Sequence, residues 1–577
     1  MIQKKVRKMK KKLPISKMIA SAALAVAAIT PSFGQSNLGA ACGCPAVASR
    51  PTVLLSSLPG FTAINGTYGG ELINGAVLTC DNNYIIDQKI YIPSGKTISI
   101  APGTVLKGRA TADGATPGTP DPAKATALVI ERGGKIMADG AADCQIVFTA
   151  EADPMDGTYA VSNIGKWGGI VLLGKATNNL TLAGNGPFVA GGSGKLAVAN
   201  GLGTIEGFAT SNTQDQYGVN LTAGESFDDN DNSGILRYVS VRHSGAILAV
   251  GAEINGITLG SVGRGTTLEH IEIVSCADDN VEFFGGTANI KYLSTIFGND
   301  DMFDYDLGWS GKAQFIFGMK SDLTSSPDSD NGFEADSDDN KTNNNPKSIP
   351  VFYNVTMIGN AKTTNTADNT GMFAIAAKEL TGGEFYNSVF ANFKNGFNTV
   401  KSTGTRTGGF ESYHNWTTSA AGNGTNILKV KCNTFVGVTN PLTVGGSAAN
   451  VLTADSDQFA ADGNVIVAGN TLPGFDYAYT INTTTNAITV KNDLTPNPAL
   501  SVSGCPTAPI DGFYRAANYR GAFSPNANEN WLSDWSYSHM LGATKGLAAC
   551  PTDINADGVT NVNDFLQLSS SFGTSCN

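Results

Sequence analysis

Near the end of the chain, six residues have the types and spacing of a calcium loop. Across Asp553-Ile554-Asn555-Ala556-Asp557-Gly558-Val559-Thr560-Asn561-Val562-Asn563-Asp564, side-chain oxygens fall at loop positions 1, 3, 5, 9 and 12, and Val559 offers a backbone carbonyl at position 7. Calcium takes six to eight hard oxygens from a loop that turns sharply, and Gly558 stands at position 6, where that turn is made. The expected ligands of Ca2+ are therefore Asp553, Asn555, Asp557, Val559, Asn561 and Asp564, with a short helix beginning at Phe565-Leu566-Gln567-Leu568. Cys550 and Cys576 bracket the loop and are the expected disulfide pair.

A second acidic set lies mid-chain: Glu282, Asp304 and Glu334, accompanied by Asp278, Asp279, Asp300, Asp301, Asp306 and Asp336. On successive turns of stacked strands such residues stand about 5 Å apart, so their charges repel unless a proton, a cation or water offsets them. A surface of this kind serves polysaccharide cleavage in two ways. A lyase holds a uronate through calcium while Arg or Lys takes a proton, and Arg242 and Lys312 are the candidate bases; a hydrolase pairs a carboxylic acid with a carboxylate. The competing and preferred reading is corner chemistry, in which Asp and Asn brace turns and hold a structural cation.

Other residues offer less. Asp228-Asp229-Asn230-Asp231-Asn232-Ser233-Gly234 resembles a calcium turn but lacks an acid at position 12, so a tight polar loop is expected. Four histidines without metal-ligand spacing speak against zinc, and His243 suits a corner better than a base. Trp309, Trp416, Trp531 and Trp535 could stack on sugars or pack coil ends.

The elements that would carry these residues are short strands. β-Branched and aromatic runs such as Thr97-Ile98-Ser99-Ile100, Ala127-Leu128-Val129-Ile130 and Tyr238-Val239-Ser240-Val241 alternate with Gly, Asn, Asp and Pro turns. Leu268 to Gly286 repeats in Ile290 to Gly308 at an offset of 22 residues, placing Asp278-Asp279 on Asp300-Asp301, Glu282 on Asp304 and Phe283 on Tyr305. A period of that length with short strands is what one turn of a parallel β-helix requires. Asn331-Gly332-Phe333-Glu334 continues the pattern at an offset of 30, and Asn395-Gly396-Phe397-Asn398 follows, so Val281, Phe303, Phe333 and Phe397 form an inward column. Residues 50–90 are expected to cap the N-terminal end, and 111–125, 320–349 and 417–427 to be loops.

Residues 1–34 read as an export signal: eight Lys and Arg, then an apolar run from Met18 to Ile29, then Ser32-Phe33-Gly34 before Gln35. Removing that segment takes the net charge from −11 to −19, which disfavours nucleic acid and anionic membranes. Nine cysteines in an exported chain can form disulfides, and the odd number leaves at least one outside intramolecular pairing.

The runs Val105-Leu106-Lys107-Gly108, Glu131-Arg132-Gly133-Gly134-Lys135-Ile136, Gly168 to Gly174, Ile205-Glu206-Gly207, Val241 to Gly245, Ala277 to Gly286 and Asn518 to Phe523 resemble a group of large secreted β-helix proteins of Bacteroidetes-type bacteria. Over residues 65–540 this resemblance implies a pectate-lyase-like solenoid and export; its distant look-alikes include lyases, hydrolases and non-catalytic adhesins. The terminal loop is similar to a dockerin repeat, but a dockerin pairs two repeats and Thr560 replaces an aliphatic residue. A calcium-stapled tail is therefore expected ahead of a cohesin partner.

The expected architecture is all-β: a signal over 1–34, a linker over 35–64, a right-handed parallel β-helix over 65–435, a β-rich region over 436–545 that continues or caps it, and a calcium module over 546–577. The expected function is binding of an extracellular or cell-surface polysaccharide without catalysis. The alternatives are a polysaccharide lyase or glycoside hydrolase working in an acidic groove, and a structural adhesion protein.

Overall fold

The computed structural model describes residues 38–544, apart from 114–120, 182–195, 206–207, 209–210, 250–251, 322–330, 338–343, 361–372, 379–380, 400–412, 414–426, 446, 470, 473–474, 477–478, 483–487, 491–499, 501, 527–528 and 534. The calcium loop, Cys550, Cys576, Trp416 and the export signal lie outside these residues.

Successive coils pair in parallel and build two long sheets, one of 17 strands and one of 12, as the 22-residue offset predicts. The offset is exact in the register, where Glu282 pairs with Asp304 and Phe283 with Tyr305. Alternation along each strand sends every second side chain inward. Ile90, Leu128, Ile170, Ile257, Val281, Phe303, Phe333, Ile375, Phe397 and Leu442 fill one inward column of the 12-stranded sheet, all buried. Each such side chain contributes about 1.5–3 kcal/mol by leaving water. The column corrects one expectation: the coil carrying Phe373–Ala377 lies between Phe333 and Phe397, and Ile375 occupies the place between them.

The wider sheet bends. In Gly234–Arg242, Thr267–Val274, Asn289–Ile296, Lys312–Met319 and Val351–Ile358, one non-glycine residue per strand takes a left-handed φ: Tyr238, His270, Tyr292, Phe315 and Asn354. Pairing skips these residues and resumes beyond them, so each long strand serves two faces of the coil. The outward side chains at the bend stack. His270 lies 4.4 Å from the rings of both Tyr238 and Tyr292, and Tyr292 lies 5.0 Å from Phe315.

Both ends of the solenoid are covered. Phe61–Ala63 adds antiparallel to Gly69–Leu72 and ends the 12-stranded sheet on an antiparallel strand at the N-terminal end. At the other end helix Thr453–Ala461 carries Phe459 onto Phe435. Cys42–Cys144 and Cys44–Cys80 tie the N-terminal segment to the first coils, Cys432 pairs with Cys505, and Cys276 is a buried free thiol. Among the described residues no helix is long and apolar enough to cross a membrane.

From Cys505 to Thr544 the chain runs back over the outside of the wide sheet as a strap. Asn387 donates to the Pro506 carbonyl (2.8 Å), Gln314 exchanges two hydrogen bonds with the Arg515 backbone (both 2.8 Å), Asn354 donates to the Tyr519 carbonyl (2.8 Å), and Glu272 accepts from the amides of Tyr537 (2.7 Å) and Ser538 (3.0 Å). Beneath the strap, Phe297, Phe317, Met319 and Ile358 pack against Phe523, Leu532, Trp535 and Leu541 to make a second core.

Two expected outcomes follow from this packing. Replacing Cys505 with Ser opens a covalent closure spanning 73 residues of sequence and should cost about 2–4 kcal/mol, read as a lower melting temperature with new binding of an apolar dye. Burial holds His270 and His243 at a pKa of about 4, aided at His270 by Lys291, Arg237 and Arg515. Both are neutral when folded and take up protons on unfolding, so stability should fall as pH drops from about 6.5 through about 4. His270→Phe should shrink that fall in a series of melts against pH.

Candidate functional site

The acidic set sits on the outward face of the 12-stranded sheet. In Val281–Phe284, Phe303–Asp306 and Phe333–Ala335 the aromatic and apolar residues at the first and third positions turn inward, so Glu282, Asp304 and Glu334 turn outward in one column. Thr258 precedes the column, and Ala376, Asn398 and Thr443 follow it. The carboxylate oxygens of Asp279, Glu282 and Asp304 lie within 4.8 Å of one another, as do those of Asp278, Asp279 and Asp300. Asp279 belongs to both sets.

The column is not an open groove. Glu282, Asp304 and Asp279 are 4, 5 and 7% exposed. Burial and the neighbouring charges of Asp278, Asp304, Asp300 and Asp301 push the Asp279 carboxyl well above the usual carboxylate range. Asn255 donates to Glu282 (2.6 Å).

A parallel column three residues earlier has a different role. Asp279 accepts the Asp301 amide (2.8 Å), Asp301 accepts the Asn331 amide (2.5 Å), and Asn331 accepts the Phe373 amide (3.1 Å). Each corner is thus braced by the corner of the preceding coil, the turn chemistry that Asp and Asn favour.

A cation that the sequence reading missed closes the ladder. Lys378 donates to Glu334 and stands 3.6 Å from Asp336, which is 1% exposed. Burial alone would lower the ammonium's pKa, but Asp336 and Glu334 lift it well above its ordinary value. Lys378 follows the coil of Phe373–Ala377, the coil whose repeat went unrecognised, and that repeat was the signal that could have found it.

Arg242 and Lys312, the expected bases, are elsewhere. Both lie on the wide sheet, Lys312 before its bend and Arg242 beyond it, because coil counting sets the turn a residue belongs to and not its face. The Arg242 guanidinium lies 4.3 Å over the Tyr537 ring and 3.8 Å from Glu272, and it donates to Ser240 (2.7 Å). Lys312 pairs with Asp511 at 2.5 Å. Neither reaches the ladder.

His243 turns a corner at φ 60° with Nδ1 2.7 Å from the Asn163 carbonyl. In the loop of Asp228 to Gly234, Asp228 accepts the Asn230 amide and Asn232 the Gly234 amide, which makes a tight polar turn. Trp309 is core, stacked 4.2 Å from Phe283, while Trp531 and Trp535 belong to the strap.

Replacing Lys378 with Met should take from the buried Asp336 the ammonium 3.6 Å away. The expected cost is about 2–4 kcal/mol, and Asp336→Asn in the same chain should recover part of it in denaturant melts.

A family model described as a pectate-lyase-like β-helix domain matches residues 70–471. No curated protein matches the chain. Among solved structures, the full-length tailspike protein 2 of the Escherichia coli O157:H7 bacteriophage CAB120 is similar at 10% identity over 63% of this chain, with a TM-score of 0.19. The match spans 42% of the tailspike. With more than half of its length inside the family match and its coils paired in parallel throughout, the chain belongs to the pectate-lyase-like β-helix domain family.

Proposed function

We propose that the protein works outside the cell as a calcium-stabilised β-helix that binds polysaccharide without cleaving it. One observation carries the non-catalytic reading: the carboxylates that a lyase or hydrolase would expose to its substrate are shut in. Glu282 and Asp304 are nearly inaccessible, Lys378 is committed to Glu334 and Asp336, and the buried Lys320 donates to the Asp300 carbonyl. Three disulfides among the described residues and an acidic composition support a location outside the cytoplasm.

The donor set fits a hard cation. Asp279, Glu282 and Asp304 bring carboxylate oxygens together with no sulfur or imidazole among them, the chemistry that calcium prefers. Bound there, Ca2+ would offset the mutual repulsion of these crowded carboxylates. The terminal loop from Asp553 to Asp564 is proposed as a separate calcium site.

The test uses the mature protein and a variant with Asp553→Ala and Asp564→Ala, which isolates the ladder. Calcium should raise the melting temperature of that variant by several degrees, as expected for about 1–3 kcal/mol of linked binding, and Glu282→Gln with Asp304→Asn should remove the rise. On a panel of acidic and neutral polysaccharides, the wild type should be retained by at least one while releasing neither reducing ends nor unsaturated uronate. Product release that Glu282→Gln abolishes would make the ladder a catalytic groove, and retention on none of the panel would leave a structural role.

A further inference from the structure

A cavity of about 490 Å3 lies on the corner after strand Ala127–Ile130, away from the ladder. Its volume is within the roughly 300–1,000 Å3 of pockets that hold small organic ligands. The local fold explains its floor. The Glu131 amide donates to the Ile92 carbonyl (3.1 Å), and Gly133 follows with φ 82°. At Gly134 a Cβ would stand 2.3 Å from the Ile92 carbonyl, so the chain turns here on two glycines. The turn places Glu131 and Arg132 in the cavity, and Lys175 joins them from the next coil.

The wall comes from an insertion. Strands Leu196–Ala199, Leu202–Thr204 and Gln216–Gly218 form a small antiparallel sheet, and Arg132 donates to the Gly218 carbonyl (3.2 Å), which ties the corner to it. Glu225 lies at the rim and accepts the Asn220 amide (2.7 Å). Ser94 and Thr213 add exposed hydroxyls.

Behind the floor stands a tight polar group. The Glu71 carboxylate stands beside Glu131 and accepts from Gln214 (2.9 Å), while Asp215 accepts from Tyr91 (2.9 Å) and Asn212 (2.7 Å). The Glu131 Oε1 is enclosed and meets no protein donor. Burial, then the charges of Glu71 and Asp215, lift the Glu131 pKa to about 8 against the pull of Arg132. At neutral pH the floor therefore carries a neutral acid between a guanidinium and an ammonium, with hydroxyls and one carboxylate above it.

We propose that this cavity is a binding subsite for an anionic sugar residue, whose carboxylate or sulfate ester is held by Arg132 and Lys175 and whose hydroxyls meet Ser94, Thr213 and Glu225. A guanidinium with an ammonium favours an anion, and the surrounding hydroxyls suit a polyol. The inference rests on the polysaccharide reading for its ligand class and names a site that the ladder does not share. Binding is pH-dependent. As pH rises through about 8, Glu131 ionises beside the anion; the charged groups that act on it are Glu71, Asp215 and Arg132, with Lys89 beside Asp215 and with Lys175 and Glu225 lining the cavity.

The test is calorimetric titration of the mature protein with galacturonate, galactose 6-sulfate and galactose. At least one anionic sugar should bind about tenfold more tightly than galactose, a difference of about 1.4 kcal/mol, and the choice between them identifies the anion. Lys175→Met should lose that preference with an unchanged melting temperature, and Arg132→Gln should lose it too. Wild-type affinity should fall between pH 7 and pH 9, a window that brackets the Glu131 value, and Glu131→Gln should flatten the profile. Equal binding of all three sugars, binding of none, or a preference that survives Lys175→Met would overturn the subsite. If the wild type is still retained on a polysaccharide in any of those cases, the glycan-binding reading stands without this cavity; if it is retained on none, both fall.

Discussion

The hydrogen bonding of each coil to the next is the constraint from which the rest of this structure follows. A buried strand cannot leave its amides and carbonyls without partners, and here the partners are the equivalent groups of the neighbouring coils. Pairing in parallel and in register then brings side chains at equivalent positions to about 4.8 Å. Every choice of residue is thereby multiplied along the axis. Phe303 and Phe333 gain from the multiplication, since their rings pack at 5.3 Å and aromatic pairs at such distances add to what burial supplies. Glu282, Asp304 and Glu334 suffer from it, since the same spacing stacks like charges. Lys378 answers the repulsion at one end of the column, and at the other the buried Lys320 donates to the Asp300 carbonyl beside the crowded carboxylates.

The same constraint explains the strap. A sheet built this way has two faces, and on the wide sheet the outward face is also apolar, with Phe297, Phe317, Met319 and Ile358 on successive coils. Left bare, such a patch would favour association. The chain covers it with its own C-terminal segment, anchored at one end by Cys432–Cys505 and at the other by Glu272, which accepts two amides at the start of the short helix Tyr537–Met540. Arg242 belongs to this clasp. Its charge faces Glu272 and the Tyr537 ring, so a residue that looks like a candidate base in the sequence is a fastening in the fold.

How much was legible follows from which forces are local. The coil period was visible because strand length, corner glycines and inward aromatics recur at 22 residues, and Glu282 and Asp304 could be paired by it. The pattern failed where an insertion lengthened a coil. Residues 361–372 interrupt the repeat, and Ile375, an aliphatic where aromatics precede it, did not announce the coil between Phe333 and Phe397. Lys378 was lost with that coil. The disulfides were beyond reach for another reason: Cys42 and Cys144 are 102 residues apart and meet only because the first coils bring them together. Trp531 and Trp535 were open in the sequence to stacking on sugars or packing coil ends, and nothing local to residues 505–544 encodes the face that receives this segment as it returns along the solenoid.

The distinction between the repeated and the inserted parts bears on where function resides. Positions inside the repeat answer first to their neighbours above and below: the Asp279, Asp301 and Asn331 column binds each corner to the next and has little freedom to serve a substrate. The cavity beside Glu131 arises where that rule is relaxed. Its floor comes from a corner, whose side chains leave the stack, and its wall comes from an antiparallel insertion that is not bound to the coil period. A solenoid can vary such insertions without disturbing its core, because the backbone pairing that stabilises the coils runs beneath them. Recognition built on a corner and an insertion can therefore change its ligand while the fold stays the same, and the buried acidic column can remain a matter of stability.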